Sequence, residues 1–217
     1  MNQLFAEMNP TERIPKVIKE FIFPSLEKKG FRILKSGLSI KRTVGIFNQE
    51  IWFSKSKWNI ENEICAFTPQ FNVTLNNYKR WHLLEYGLEP TNVLLESHAA
   101  NYIDGWNTEL FDNDNYDLAK DDNYSIVELV RANILNYGLP LLEQLSHYKS
   151  ASVHLMTCER YFLAPKIIDI CIINKDIGMA KRVLDWFRNY QQRQESEFMD
   201  STLNDMELRE IRINSLF

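Results

Sequence analysis

The sequence predicts an α+β fold, with an N-terminal helix packed on an antiparallel sheet of about four strands and then a helical C-terminal part. Three observations carry this. Apolar residues fall at helical spacing before Gly30, β-branched and aromatic residues crowd short runs between Phe31 and Leu75, and helical spacing returns from Ser125 to Tyr190.

From Asn9 to Gly30, the residues Ile14, Val17, Ile18, Phe21 and Ile22 mark one helix face, with Lys28 and Lys29 in the last turn. Pro10 or Pro15 fits the first turn, whereas Pro24 lacks a backbone donor and predicts a kink or a split. FRIL, Leu38 to Thr43, Ile46 to Phe53 and Phe67 to Leu75 read as an antiparallel meander, punctuated by Gly37 and Gly45. SKSKWNIENE is a polar connection in which Trp58 reads as a packed anchor, and a fourth strand or short helix is expected within Ser97 to Leu110.

FDNDNYDLAKDDN reads as a solvated acidic loop. Ser125 and Glu128 form a capping box opening a helix through Val127, Val130, Ile134 and Tyr137, closed by Gly138. Pro140 begins another apolar turn with Leu141, Leu142 and Leu145. After a polar break, Leu163, Ile167 and Ile170 and then Ala180, Val183, Leu184 and Phe187 mark two helices, joined at Lys175 to Gly178. The expected organisation is an α+β domain over residues 9–148, a helical extension packed on it over 149–190, and a flexible or helical tail over 191–217, from which Ile211, Ile213 and Phe217 can dock.

Composition excludes several classes. The 217 residues are 45% hydrophobic and 25% charged with net charge -4, an ordinary globular balance, and seven Gly with seven Pro exclude collagen-like and low-complexity chains. No apolar run approaches the roughly 18 residues of a membrane span, and no basic stretch leads into an apolar one at the start, so a cytoplasmic protein is expected. Cys65, Cys158 and Cys171 are odd in number and far apart, as reduced thiols are.

The glycines at 30, 37, 45, 87, 105, 138 and 178 are too widely spaced for a phosphate loop, a dinucleotide fingerprint or a GxSxG elbow. His154 and Cys158 supply two ligands where structural zinc needs four. Asp112, Asp114 and Asp117 start like a calcium loop, but Tyr116 replaces the third ligand, Asp117 the turn glycine and Asn123 the closing Glu. No metal and no cofactor is therefore expected.

His82, Glu85 and Glu89 at i, i+3 and i+7 would share one helix face as an acid/base constellation, although a solvated face is the simpler reading. Lys41, Arg42, Lys55 and Lys57 lie among Phe47, Trp52, Phe53 and Trp58, a pattern that can stack and neutralise single-stranded nucleic acid. A pI near 5.7 and the need for core aromatics argue against nucleic acid as the partner.

The order LEKKGF, FSKSKWN, FNVTLN resembles a bacterial family, domain of unknown function 4304. Phe31 after Gly30, Ser56, Trp58, Asn59, Phe71 and Asn72 carry the resemblance, LPLLEQL near Pro140 is similar to the family's later helix, and the match spans residues 12–148. Ser54 stands where the family pattern has Gln. The resemblance implies an α+β fold with an antiparallel sheet and no assigned activity.

The function expected is a non-enzymatic protein-binding module, an adaptor or an immunity-like inhibitor. Residues 58–130 carry thirteen acidic side chains against three basic, which would steer a basic protein partner. The binding residues expected are Trp58, Asn59, Asp112, Asp114, Asp121 and Asp122. The alternative is an enzyme or small-molecule binder assembled in three dimensions, with His82, Glu85 or Glu89 on one wall and Trp58 or Trp106 on another. No catalytic residue and no oligomeric state follow from the sequence.

Overall fold

A computed structural model of the chain describes residues 3–61, 63–90, 92–112, 114–120, 122–193 and 200–216. The chain begins with α1 (Pro10–Val17), a π turn (Ile18–Ile22) and α2 (Phe23–Glu27). The strands β1 (Arg32–Ile33), β2 (Ser39–Val44), β3 (Phe47–Lys55) and β4 (Ala66–Leu75) follow, then α3 (Tyr78–Tyr86), β5 (Leu94–Ala99) and β6 (Tyr116–Asp117). The later helices are α4 (Asn123–Asn133), a π turn (Ile134–Gly138), α5 (Leu139–Leu145), α6 (Tyr148–Thr157), α7 (Ala164–Ile173), α8 (Ile177–Arg193) and α9 (Asp200–Ser215). The architecture is α+β. Two compact units divide the chain: unit 1 is Met1–Asn76 with Glu96–Glu143, and unit 2 is Asn77–Leu95 with Gln144–Phe217.

Unit 1 carries the sheet, in the order β1-β2-β3-β4-β5 with β6 also on β4. The pairings β1–β2, β2–β3, β3–β4 and β4–β6 are antiparallel. Six described strands thus replace the four expected, because β5 begins at Leu94, before the segment expected to hold it, and β6 is only two residues long. Along β4, Phe67, Pro69, Phe71, Val73 and Leu75 point to the buried face, and the residues between them are half-exposed. That alternation gives one face packed on helices and one open to solvent.

Asn9 caps α1 by accepting from the backbone N–H groups of Thr11 and Glu12, and Ile14, Val17, Ile18, Ile22 and Leu26 are fully buried. Helical residues run without a gap from α1 through the π turn into α2, past Pro24. The N–H of Phe23 bonds to the carbonyl of Ile18, five residues back, so the chain inserts one extra residue at the point where proline forbids the ordinary bond. The second long helix repeats the device: Gly138 does not close it, because Leu139 donates to the Ile134 carbonyl and helix continues past Pro140.

This second helix also opens earlier than the expected capping box. Asp122, not Ser125, is its N-cap, accepting from the N–H of Ser125 at 3.0 Å. In unit 2 the expected polar break contains α6, whose buried residues are only Ala151, Ser152 and Leu155. The joint between α7 and α8 lies at Asn174 to Asp176, where Lys175 has φ +59°, and Gly178 already belongs to α8. Helix occupies Asp200–Ser215, with Met206, Arg209 and Ile213 buried and Ile211 exposed, while Phe217 lies outside the described residues.

Candidate functional site

The open face of the unit 1 sheet follows the alternation along β3 and β4, with β2 joining it in register. Ser39, Trp52 and Gln70 form one direct cross-strand row, and Lys41, Glu50 and Asn72 the next. Trp52 is 41% exposed in the middle strand of the first row. In the second row Lys41 pairs with Glu50 at 3.1 Å, and Ser39 donates to the same carboxylate at 2.5 Å. Asn72 accepts from the Ser97 hydroxyl at 2.6 Å, and Thr43 donates to Asn48 at 2.8 Å. The face is polar, close to charge-neutral and set around one indole.

The opposite face is closed. Phe47 and Phe53 are core, and Arg42 turns inward, bonding to Gln49 at 2.6 Å, to the carbonyl of Lys29 at 2.9 Å and to Glu143. Gln49, fully buried, donates to the carbonyl of Leu142 at 3.0 Å. These bonds tie helix to sheet, so one of the four basic groups expected to face a polyanion is withdrawn.

The residues expected to bind are largely engaged locally. Asn59 both donates to the carbonyl of Ala66 and accepts from its N–H, at 3.0 and 2.7 Å, closing the β3–β4 connection. Asp112 pairs with Lys120 at 2.6 Å, Asp114 accepts from Asn101 at 3.0 Å, and Asp122 is the helix cap. Asp121 lies outside the described residues. Trp58 is 68% exposed with Lys57 over its ring, so it is no packed anchor. Trp106 is buried edge-on against Phe71 and donates to the hydroxyl of Tyr116 at 2.8 Å, which removes it as a pocket wall.

The acid/base spacing of His82, Glu85 and Glu89 breaks because α3 stops at Tyr86 with Gly87 in the left-handed region at φ +70°. Glu89 therefore leaves the helix, and its exposed carboxylate stands 3.9 Å from Lys79. Glu85 pairs with Arg212 on α9. His82 is 4% exposed and belongs to a buried network that the sequence reading missed.

Its centre is Asp169 on α7, fully buried, whose carboxylate accepts four bonds. Tyr78 and Tyr86 donate at 2.5 and 2.7 Å, and Arg209 of α9 donates from Nη2 at 2.7 Å and from Nε at 3.2 Å. The remaining Arg209 protons reach His82 Nε2 at 2.8 Å and the carbonyl and carboxylate of Asp205 at 3.0 and 3.1 Å. All five guanidinium donors and all four carboxylate acceptor positions are thus filled. His82 Nδ1 lies 2.7 Å from the carbonyl of Leu88, so its proton sits on Nδ1 and Nε2 is the acceptor for Arg209. Burial, then the Asp169 charge, pushes both tyrosine hydroxyls well above their ordinary range. Burial opposes the charge of Arg209, but Asp169 outweighs it and holds the guanidinium more firmly protonated.

This arrangement joins α3, α7 and α9, with every Arg209 donor and every Asp169 acceptor position taken within it. One signal for it was present: Asp169 is a lone charge in the apolar run IIDICII, and a charge in a buried helix requires a partner. Beside it, burial lowers the proton affinity of Lys166, whose ammonium bonds to Asn92 and to the carbonyl of Leu94 at 2.6 Å. Among the described residues no three His, Cys, Asp or Glu side chains converge as metal ligands, and His154 with Cys158 remains a pair at 3.8 Å. No described helix is long and apolar enough to cross a membrane. No family model, curated protein or solved structure matches the chain.

Proposed function

We propose that the protein is a non-enzymatic binding module that engages another protein on the open sheet face around Trp52. The observation that carries this reading is the half-exposed indole of Trp52 in the middle strand, flanked in register by Ser39 and Gln70. A large, stiff side chain flanked by a hydroxyl and an amide, beside a neutralised ion pair, is the composition of an interface hot spot. The resemblance of residues 12–148 to domain of unknown function 4304 belongs to this reading and adds no activity to it.

The partner chemistry differs from a basic protein steered by the acidic loop. Lys41 neutralises Glu50 on the open face, and Asp112 and Asp122 are engaged within their own segment. The partner that fits presents an apolar side chain to Trp52 and uncharged polar groups to Gln70 and Asn72, and its association resists salt.

The test is capture of partners from source-cell extract by the tagged full chain at low and high salt. A stoichiometric protein retained at high salt, lost at least about tenfold with Trp52→Ala or Gln70→Ala and kept with Asp112→Asn/Asp114→Asn, is expected. Capture that survives Trp52→Ala but fails in the acidic-loop variant would return the site to the loop. Recovery of nucleic acid instead would favour the basic reading, through Lys41, Lys55, Lys57 and Trp58.

A further inference from the structure

His82 sits where three separate segments of unit 2 meet, and its hydrogen bonds fix its protonation state by geometry. Nδ1 faces a carbonyl, that of Leu88 at 2.7 Å, and can only donate there. Nε2 faces an N–H of Arg209 at 2.8 Å and can only accept. A second ring proton would sit on Nε2 and point at the guanidinium, replacing a hydrogen bond by two opposed donors in a buried site.

We propose that His82 is an acid-sensitive latch for α9, in which protonation of the ring breaks its bond to Arg209 and releases the helix from α3 and α7. The charged and titratable groups around the ring are consistent with this. From α9 come Arg209, bonded to the ring, and Asp205, bonded to Arg209. From α7 comes Asp169, already saturated by four donors, with Lys166 turned to Asn92 and Leu94. On α3 itself, Tyr78 and Tyr86 are engaged with Asp169, and Glu85 with Arg212. The nearest carboxylate therefore has no position left with which to receive a new imidazolium proton while Arg209 stays in place. When α9 departs, Asp169 keeps its two tyrosyl donors, and Nε2 of the imidazole no longer faces a guanidinium proton.

Among the described residues α9 is also held by Arg188 with Glu210, by Glu85 with Arg212, by the buried Thr202, Met206 and Ile213, and by the half-buried Leu203 and Leu208. Arg209 is its one charged side chain that is fully buried among the described residues, and His82 takes one of its five donors.

The experiment is amide hydrogen exchange on the full chain between about pH 7.5 and 4, corrected for intrinsic rates, with histidine ring NMR on the same sample. Protection of α9 amides from Met206 to Ile213 is expected to fall by up to about tenfold per pH unit below the imidazole range, while α7 stays protected. His82→Gln supplies one acceptor and one donor without a titratable ring, and its α9 protection is expected to stay flat. If that variant does not fold, the wild-type data decide: loss of α9 protection must follow the His82 ring signals and not those of His98, His147 or His154. The proposal is overturned if α9 stays protected while His82 takes up its proton. Equal loss in His82→Gln, or a loss that begins only below about pH 4.5 where carboxylates titrate, overturns it too.

Discussion

Gly138 lies so close to Phe71 that a Cβ placed on it would stand 2.2 Å from Cε1 of the ring. The glycine therefore sets how near the second long helix of unit 1 comes to β4, and it sits in a π turn for that purpose, with no role as a terminator. Gly138→Ala is expected to destabilise the protein by about 1–3 kcal/mol, as overpacking does. Phe71→Leu in the same chain should recover part of the loss, read as urea midpoints; an alanine variant as stable as wild type would mean that the contact is looser than described.

The Asp169–Arg209 pair is expected to be worth far more as a partner for each residue than as a net contribution to stability. Asp169→Asn leaves the guanidinium buried with one carboxylate fewer and should lower unfolding free energy by about 3–5 kcal/mol. Asp169→Leu/Arg209→Met removes both charges and should be distinctly milder than either single change. The double-mutant cycle, measured by denaturant unfolding of the full chain, would refute this if the two single effects added.

Asp122 offers a pH signature in unit 1. Its hydrogen bonds from Ser125, side chain and backbone, hold its carboxyl below the ordinary carboxylate value. A group whose folded value is lowered contributes its stabilisation above the unfolded carboxyl range, near pH 4, and loses it as the pH falls further. Asp122→Asn keeps an acceptor at the cap but cannot titrate, so the difference in Tm between the two proteins should shrink on acidification from pH 7 to about pH 3. A constant difference would detach the cap from the acid sensitivity.

The three thiols should separate by reactivity. Burial pushes Cys65 and Cys171 up to about 11, which leaves about one thiolate in a thousand at pH 8, whereas Cys158 is exposed. One equivalent is expected to react with a thiol-disulfide reagent in the native protein and three after denaturation. Rapid modification of two or more native thiols would contradict the burial.

The sheet was legible because period-two alternation marks both its face and its extent: Ile46 to Phe53 as expected became Phe47–Lys55, a shift of one residue at the start and two at the end. The same alternation places Trp52 opposite the core, and the open face follows. α6 was illegible since Leu155 is the one large apolar residue among its buried positions, beside Ala151 and Ser152, and one such residue draws no stripe. The two π turns escaped because Pro24 read as a break and Gly138 as a stop, whereas an extra residue before each proline continues the helix. His82 was legible as a polar residue but not as a buried one: the side chain that fixes its state, Arg209, is 127 positions away, and no local rule spans that distance.

The split course of unit 2 has a consequence for the order in which the chain can fold. Unit 1 has all its segments once residue 143 has been made, but the carboxylate of Asp169 gains its arginine only when residue 209 follows, forty positions later. During synthesis α3 and α7 therefore emerge with the Asp169 charge unpaired, and a chain interrupted before Arg209 should present a finished first unit attached to an open, chaperone-prone second one.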